Sequence, residues 1–205
     1  VGNASFVANM GTVLCNGGGK TFNTGSAVFY NVTIQTGGNV YVTGTTNISG
    51  TLSLTAENAM IGGTLALSGD CVVRATTCSS PMSTVLLFTG SANQTLSAAG
   101  GSGIVPCVTI AKSGGTLSIR DTILSKGTWI YTSGTVDAAT STVIFCDGST
   151  TLDTGAAPTP MAFNNVTIQT GGNVYVTGTT SILGKLTLMA ENAMIGGTLA
   201  LSGDC

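Results

Sequence analysis

Six cysteines, eight acidic residues and no histidine are what this 205-residue chain offers for chemistry. The cysteines are Cys15, Cys71, Cys78, Cys107, Cys146 and Cys205. None forms a CxxC pair, and without histidine a zinc site is disfavoured. An even count in a Gly/Thr-rich chain favours disulfides. Cys71 and Cys78, seven apart across VVRATT, suit one bridged loop. Six cysteines still allow 15 pairings. The acids are Glu57, Asp70, Asp121, Asp137, Asp147, Asp153, Glu191 and Asp204. Acid–base or glycosidic chemistry needs carboxylates clustered around one centre. Here Glu57/Glu191 and Asp70/Asp204 are repeat copies, expected far apart. Arg120-Asp121 reads as a surface ion pair at a corner, and Asp147-Gly148 as a turn. With no GxSxG, calcium-loop or EF-hand pattern, no catalytic, metal or cofactor site is expected.

Five Asn-x-Ser/Thr sites, Asn3, Asn31, Asn47, Asn93 and Asn165, are candidates for glycosylation. Asn31 and Asn165 are the best placed. They alternate with Val32/Ile34 and Val166/Ile168, so they should point outward.

The elements that position these residues are set by a repeat. Residues 29–71 return as 163–205, offset by 134, and only six of 43 aligned positions differ. These are 30/164, 47/181, 49/183, 51/185, 53/187 and 55/189. Five of the six alternate along the chain, while Ile48, Gly50, Leu52 and Leu54 between them are unchanged. That is the pattern of a strand with one constant buried face and one free outer face.

A weaker unit recurs three times. Thr12-Val13-Leu14-Cys15 is echoed by Thr84-Val85-Leu86-Leu87-Phe88 and by Thr142-Val143-Ile144-Phe145. Each leads to a Val-Thr-Ile triplet at 32–34, 108–110 or 166–168. Gly37-Gly38, Gly114-Gly115 and Gly171-Gly172 then mark tight corners before alternating strands. The chain divides into a lead-in strand (1–11), module 1 (12–83), a diverged module 2 (84–141) and module 3 (142–205). Together they are expected to form one continuous domain. Only Thr55-Ala56-Glu57-Asn58-Ala59-Met60 and its copy suggest a helical turn. Trp129 reads as a core or end-filling residue. Short strands every 8–12 residues with Gly turns predict an all-β chain, and the long repeats favour a parallel β-solenoid of three degenerate modules. The alternative is a set of tandem β-sandwich modules joined by strand exchange.

Charged residues are 7% and net charge is −2, so no basic footprint points to nucleic acid. No run of about 18 apolar residues offers a transmembrane segment. The missing initiator Met suits a processed, exported chain. A surface so poor in charge suits contact with other subunits. Thr43, Thr45, Thr177 and Thr179 raise an ice- or mineral-binding ladder, but threonine is also an ordinary strand residue, and Arg120-Asp121-Thr122-Ile123 interrupts the series.

The order TVhF, FxNVTI, xxGGxVxV, xGTTxIxGTLxL resembles the repeats of filamentous-haemagglutinin-like adhesins and autotransporter-passenger β-helices. The composition also looks like prokaryotic filament, sheath or surface-layer subunits. The resemblance covers 12–201. It implies a right-handed parallel β-solenoid acting outside the cell as adhesin, stalk or coat. Six cysteines depart from the passenger pattern and favour a stapled structural polymer. The expectation is therefore a non-enzymatic, extracellular, self-assembling homopolymer. A surface adhesin segment binding host or glycan ligands is second, and a carbohydrate-active β-helix a distant third. Leu183 and Met189, which replace Ser49 and Thr55 on the outer face, and Cys205, where the second copy stops, are the candidate assembly contacts.

Overall fold

A computed structural model describes residues 9–17, 19–35, 38–56, 59–76, 82–138, 140–155, 161–169, 172–189 and 194–205. The chain is an all-β parallel solenoid, and no helix occurs among the described residues. None is therefore long and apolar enough to cross a membrane. Sandwich modules are not formed, because every strand ladder is parallel and consecutive strands turn a corner instead of pairing.

Each turn visits three sides. The first side carries Thr12–Cys15, Asn31–Ile34, Leu52–Leu54, Cys71–Val73 and Gln94–Ser97. Two long strands, Cys107–Ile119 and Trp129–Asp137, bend round a corner. Their second halves continue the first side and their first halves lie on the third. Ala162–Phe163, Thr179–Ile182 and Thr198–Leu201 occupy the first side in the later turns.

The second side starts with Lys20–Phe22, Val40–Val42 and Met60–Ile61. Met82 bridges to Met60, and Ile104 N–H donates to the Ala75 carbonyl at 2.8 Å, which links this stack to the next. The side then runs through Ser102–Val105, Thr122–Ser125, Thr142–Phe145, Asn165–Ile168 and Leu186–Leu188. The third side runs from Val28–Phe29 through Thr45–Ile48, Thr64–Leu67 and Val85–Phe88 to Thr150–Asp153, Val174–Thr177 and Met194–Ile195.

The strands form because apolar residues recur at every second position. Asn31–Ile34, Val85–Phe88, Thr142–Phe145 and Asn165–Ile168 all alternate half-buried with buried residues. Successive turns lie about 4.8 Å apart, so inward residues stack into columns such as Val32, Leu52, Cys71 and Leu96. One aromatic from each side, taken from three successive turns, meets inside the coil. Trp129, Phe145 and Phe163 are fully buried, edge to face, with ring centroids 5.6–6.4 Å apart.

Close stacking also explains one glycine column. A Cβ on Gly69 would collide with the Gly50 carbonyl, and one on Gly50 with Asn31 Oδ1 and the Tyr30 carbonyl. The copies Gly203, Gly184 and Asn165 repeat this arrangement.

The lead-in strand expected at 1–11 falls mostly outside the described residues, and 9–11 carry no strand. Two expectations need correction. Met60, expected to end a helical turn, opens a strand instead, because its side chain is an inward core position over Val40; Glu57 and Asn58 lie outside the described residues. Arg120 does not pair with Asp121. Its guanidinium meets the Asp137 carboxylate one turn later, while Asp121, at φ +67°, turns its carboxylate to the Ala98 and Gly100 N–H groups, each at 3.0 Å.

Candidate functional site

The described cysteines do not bridge one another. Cys15, Cys71, Cys107 and Cys205 are free thiols, so no disulfide joins two described cysteines. Cys146 is the one described cysteine that is not free, and Cys78 lies outside the described residues. A bridge from Cys71 is overturned by its position: it points inward between Leu52 and Leu96 as a core residue. Burial pushes its thiol pKa up to about 12, with the neighbouring Asp70 charge adding to the rise. Burial also raises that of Cys15, against the attraction of Lys20.

The acids do not converge. Among the described residues no three of His, Cys, Asp and Glu come close enough to hold a metal ion. Asp70 Oδ1 accepts from Thr95 N–H at 2.7 Å, and Asp153 Oδ1 from Gly155 N–H at 3.0 Å. Asp147 closes its turn by accepting from Gly148 N–H. Ile130, Asp153 and Thr177 stack on the third side. With Tyr131, Thr132, Gly155 and Gly178 they line an open depression of about 350 Å³ that holds one carboxylate.

The sequon asparagines have a structural use that sequence reading missed. Asn31 Oδ1 accepts from Thr51 N–H at 2.8 Å, Asn165 Oδ1 from Lys185 N–H at 2.8 Å, and Asn93 Oδ1 from Thr116 N–H at 3.0 Å. Each side chain thus holds the backbone that begins a strand in the next turn. The available signal was a spacing of one turn between each Asn and its partner. Asn31 and Asn165 are half-buried, as is Asn47 in its strand, and Asn93 is exposed; Asn3 lies outside the described residues.

A buried cation was also missed. Lys112 is buried and donates to the Ala92 carbonyl at 2.8 Å, the Gly90 carbonyl at 3.5 Å and Gln94 Oε1. The Gln94 amide donates in turn to the Leu67 and Gly69 carbonyls. All these acceptors are neutral, and desolvation lowers the lysine's pKa.

The surface that stands out is the C-terminal turn. Leu188, Met194 and Leu201 are 52%, 37% and 40% exposed. Their copies Leu54, Met60 and Leu67 are 3%, 1% and 0% exposed, covered by the turn that follows. The assembly candidates Leu183 (55%) and Met189 (64%) adjoin this surface, and Ile195 adds to it. Cys205 is exposed, while its copy Cys71 is buried. Asp204 accepts from Leu186 N–H at 2.9 Å, as Asp70 does from Leu52 N–H. The local backbone is therefore the same and only the cover differs. Leu188, Met194 and Leu201 thus form an apolar patch beside strand edges that no described strand covers.

No protein-family model, curated protein or solved structure matches this chain.

Proposed function

We propose that this chain is a non-enzymatic, extracellular structural protein whose solenoid joins copies of itself end to end into a filament or sheath. The observation that carries this reading is a surface poor in charge, with 7% charged residues, on which Leu183 and Met189 stand 55% and 64% exposed at outward positions where the first copy has Ser49 and Thr55. An end that meets a different surface on its neighbour gives an open, heterologous polymer. The scattered acids and the packed interior support a role without catalysis.

A surface adhesin is the second reading. Tyr41 and Tyr175, both exposed and each receiving a hydrogen bond from Asn39 or Asn173, offer the same small polar-aromatic feature twice.

Negative-stain electron microscopy of the purified protein, with and without reductant, tests the first reading. Regular fibres that survive reduction are expected, since Cys205 and Cys15 are free thiols. Monodisperse rods under both conditions would overturn self-assembly and favour the adhesin.

A further inference from the structure

We propose that the depression on the third side is a subsite for a neutral saccharide, with Asp153 and Thr177 as its hydrogen-bonding pair and Ile130 as its apolar floor. This rests on the adhesin reading and gives it a site and a ligand class. Self-assembly does not enter it.

Three successive turns build the site. Ile130, Asp153 and Thr177 are register partners on adjacent parallel strands, so their outward side chains follow one another about 4.8 Å apart. The depression they line measures about 350 Å³, at the small end of the roughly 300–1,000 Å³ of ligand sites. Gly155 and Gly178, just past the ends of their strands at φ +82° and +69°, border it and place no side chain in the space. Tyr131 forms a wall and is held there, because its hydroxyl donates to the Gly134 carbonyl at 2.6 Å.

The lining selects the ligand. Asp153 Oδ1 accepts from Gly155 N–H at 3.0 Å, and its other oxygen has no partner. Thr132 gives its proton to the Ile110 carbonyl at 2.9 Å, which leaves its oxygen able to accept. The Thr177 side chain is exposed and its hydroxyl is unpartnered. The site therefore offers acceptors, one hydroxyl that can also donate, and no cation. A ligand bearing a carboxylate or phosphate meets Asp153 as a like charge. A vicinal diol donates to the carboxylate and to Thr132 and exchanges a hydrogen bond with Thr177, while Ile130 suits the C–H face of a pyranose ring.

The surface continues beyond the depression. Tyr175 stands two residues before Thr177 on the same outward face and is 39% exposed. Strands of the turns on either side flank it, at Thr151 and Ile195, and Asn173 donates to its hydroxyl at 3.3 Å. A ring face about 7 Å along the strand gives the next unit of a saccharide chain an apolar surface to rest on. The first copy supplies an internal comparison. Thr21-Phe22-Asn23-Thr24-Gly25 matches Thr151-Leu152-Asp153-Thr154-Gly155, and Thr21 pairs with Tyr41 as Thr151 does with Tyr175. Asn23 stands there in place of the carboxylate.

The test applies the 205-residue chain to an array of immobilised neutral and acidic oligosaccharides, with poly-lysine as a cationic probe. Each variant is first shown to be folded by circular dichroism and thermal unfolding. Wild type is expected to bind neutral saccharides. Asp153→Asn, and Thr177→Phe, which fills the depression, should each weaken that binding at least tenfold. Thr43→Phe, the matching change in the first copy, should leave it unchanged. Saccharide binding that survives both Asp153→Asn and Thr177→Phe would overturn this site and leave the adhesin reading in place. Acidic saccharides or poly-lysine bound in place of neutral ones would overturn the ligand class. No saccharide bound by wild type would overturn the site and the adhesin reading together.

Discussion

Val32 and Val166 hold the same place in two near-identical segments, yet they lie on different sides of the solenoid. Val32 stacks between Val13 and Leu52 on the first side. Val166 stacks between Val143 and Leu186 on the second. From Asn31 the chain re-enters the first side at residues 52, 71, 94, 116, 135 and 162, six turns on, and the second Asn-Val-Thr-Ile then begins one side later, at 165. The third triplet, 108–110, is on the remaining side. The repeat is thus a repeat of coil sequence and not of orientation. A strand-and-corner unit fits any side because each side asks only for alternate inward residues.

The glycine column gives the sharpest stability contrast. Gly69→Ala should destabilise the fold by about 1–3 kcal/mol, because its new methyl meets the rigid Gly50 carbonyl and not a side chain that can move. Gly11→Ala, which meets nothing within 4 Å, should stay within about 0.5 kcal/mol of wild type. Denaturant unfolding of the two variants checks this.

Trp129 is the only tryptophan, which makes it a clean probe of the interior. Its emission should be blue-shifted and shift red in one transition with unfolding. Trp129→Ala should cost about 3–5 kcal/mol. Trp129→Phe should cost clearly less, since it keeps a ring against Phe145 and Phe163 and removes an indole N–H that has no partner.

Cys71 links burial to alkaline stability. Its folded pKa of about 12 stands above the unfolded 9.0. The folded state therefore binds the proton more tightly, and the stabilisation is fully present below pH 9. It is lost as pH rises from 9 towards 12, to a total of roughly 4 kcal/mol. Cys71→Ala should flatten that decline in urea titrations at pH 8, 10 and 11. At pH 8 iodoacetamide should modify Cys205 in the native monomer and spare Cys71 until the chain is unfolded.

Lys112 acts with the opposite sign. Its folded pKa is lowered, so the folded state loses the proton first and stability gains as pH rises through that window towards the unfolded value. Lys112→Met strands the carbonyls of Gly90 and Ala92 and Gln94 Oε1 and should cost about 1–3 kcal/mol at neutral pH. The variant's alkaline unfolding curve should lack that gain, measured side by side with wild type.

Much of the architecture was legible in the chain. The alternation from 47 to 55, the Gly corners and the recurring short strands predicted an all-β chain, because strand period and turn chemistry are local properties, and the long repeats favoured a parallel solenoid over sandwich modules. The exposed Leu183 and Met189 were visible as changes on an outer face. Contacts one turn away were not legible, since they depend on how many residues each turn consumes. That count decides that Arg120 meets Asp137 and not Asp121, that Asn31 holds Thr51, and that Trp129, Phe145 and Phe163 meet inside the coil. It also decides the fate of identical residues. Leu67 and Leu201 have the same neighbours in sequence and differ in whether another strand lies over them. Local pattern determined which way each side chain points; stacking alone decided what it meets there.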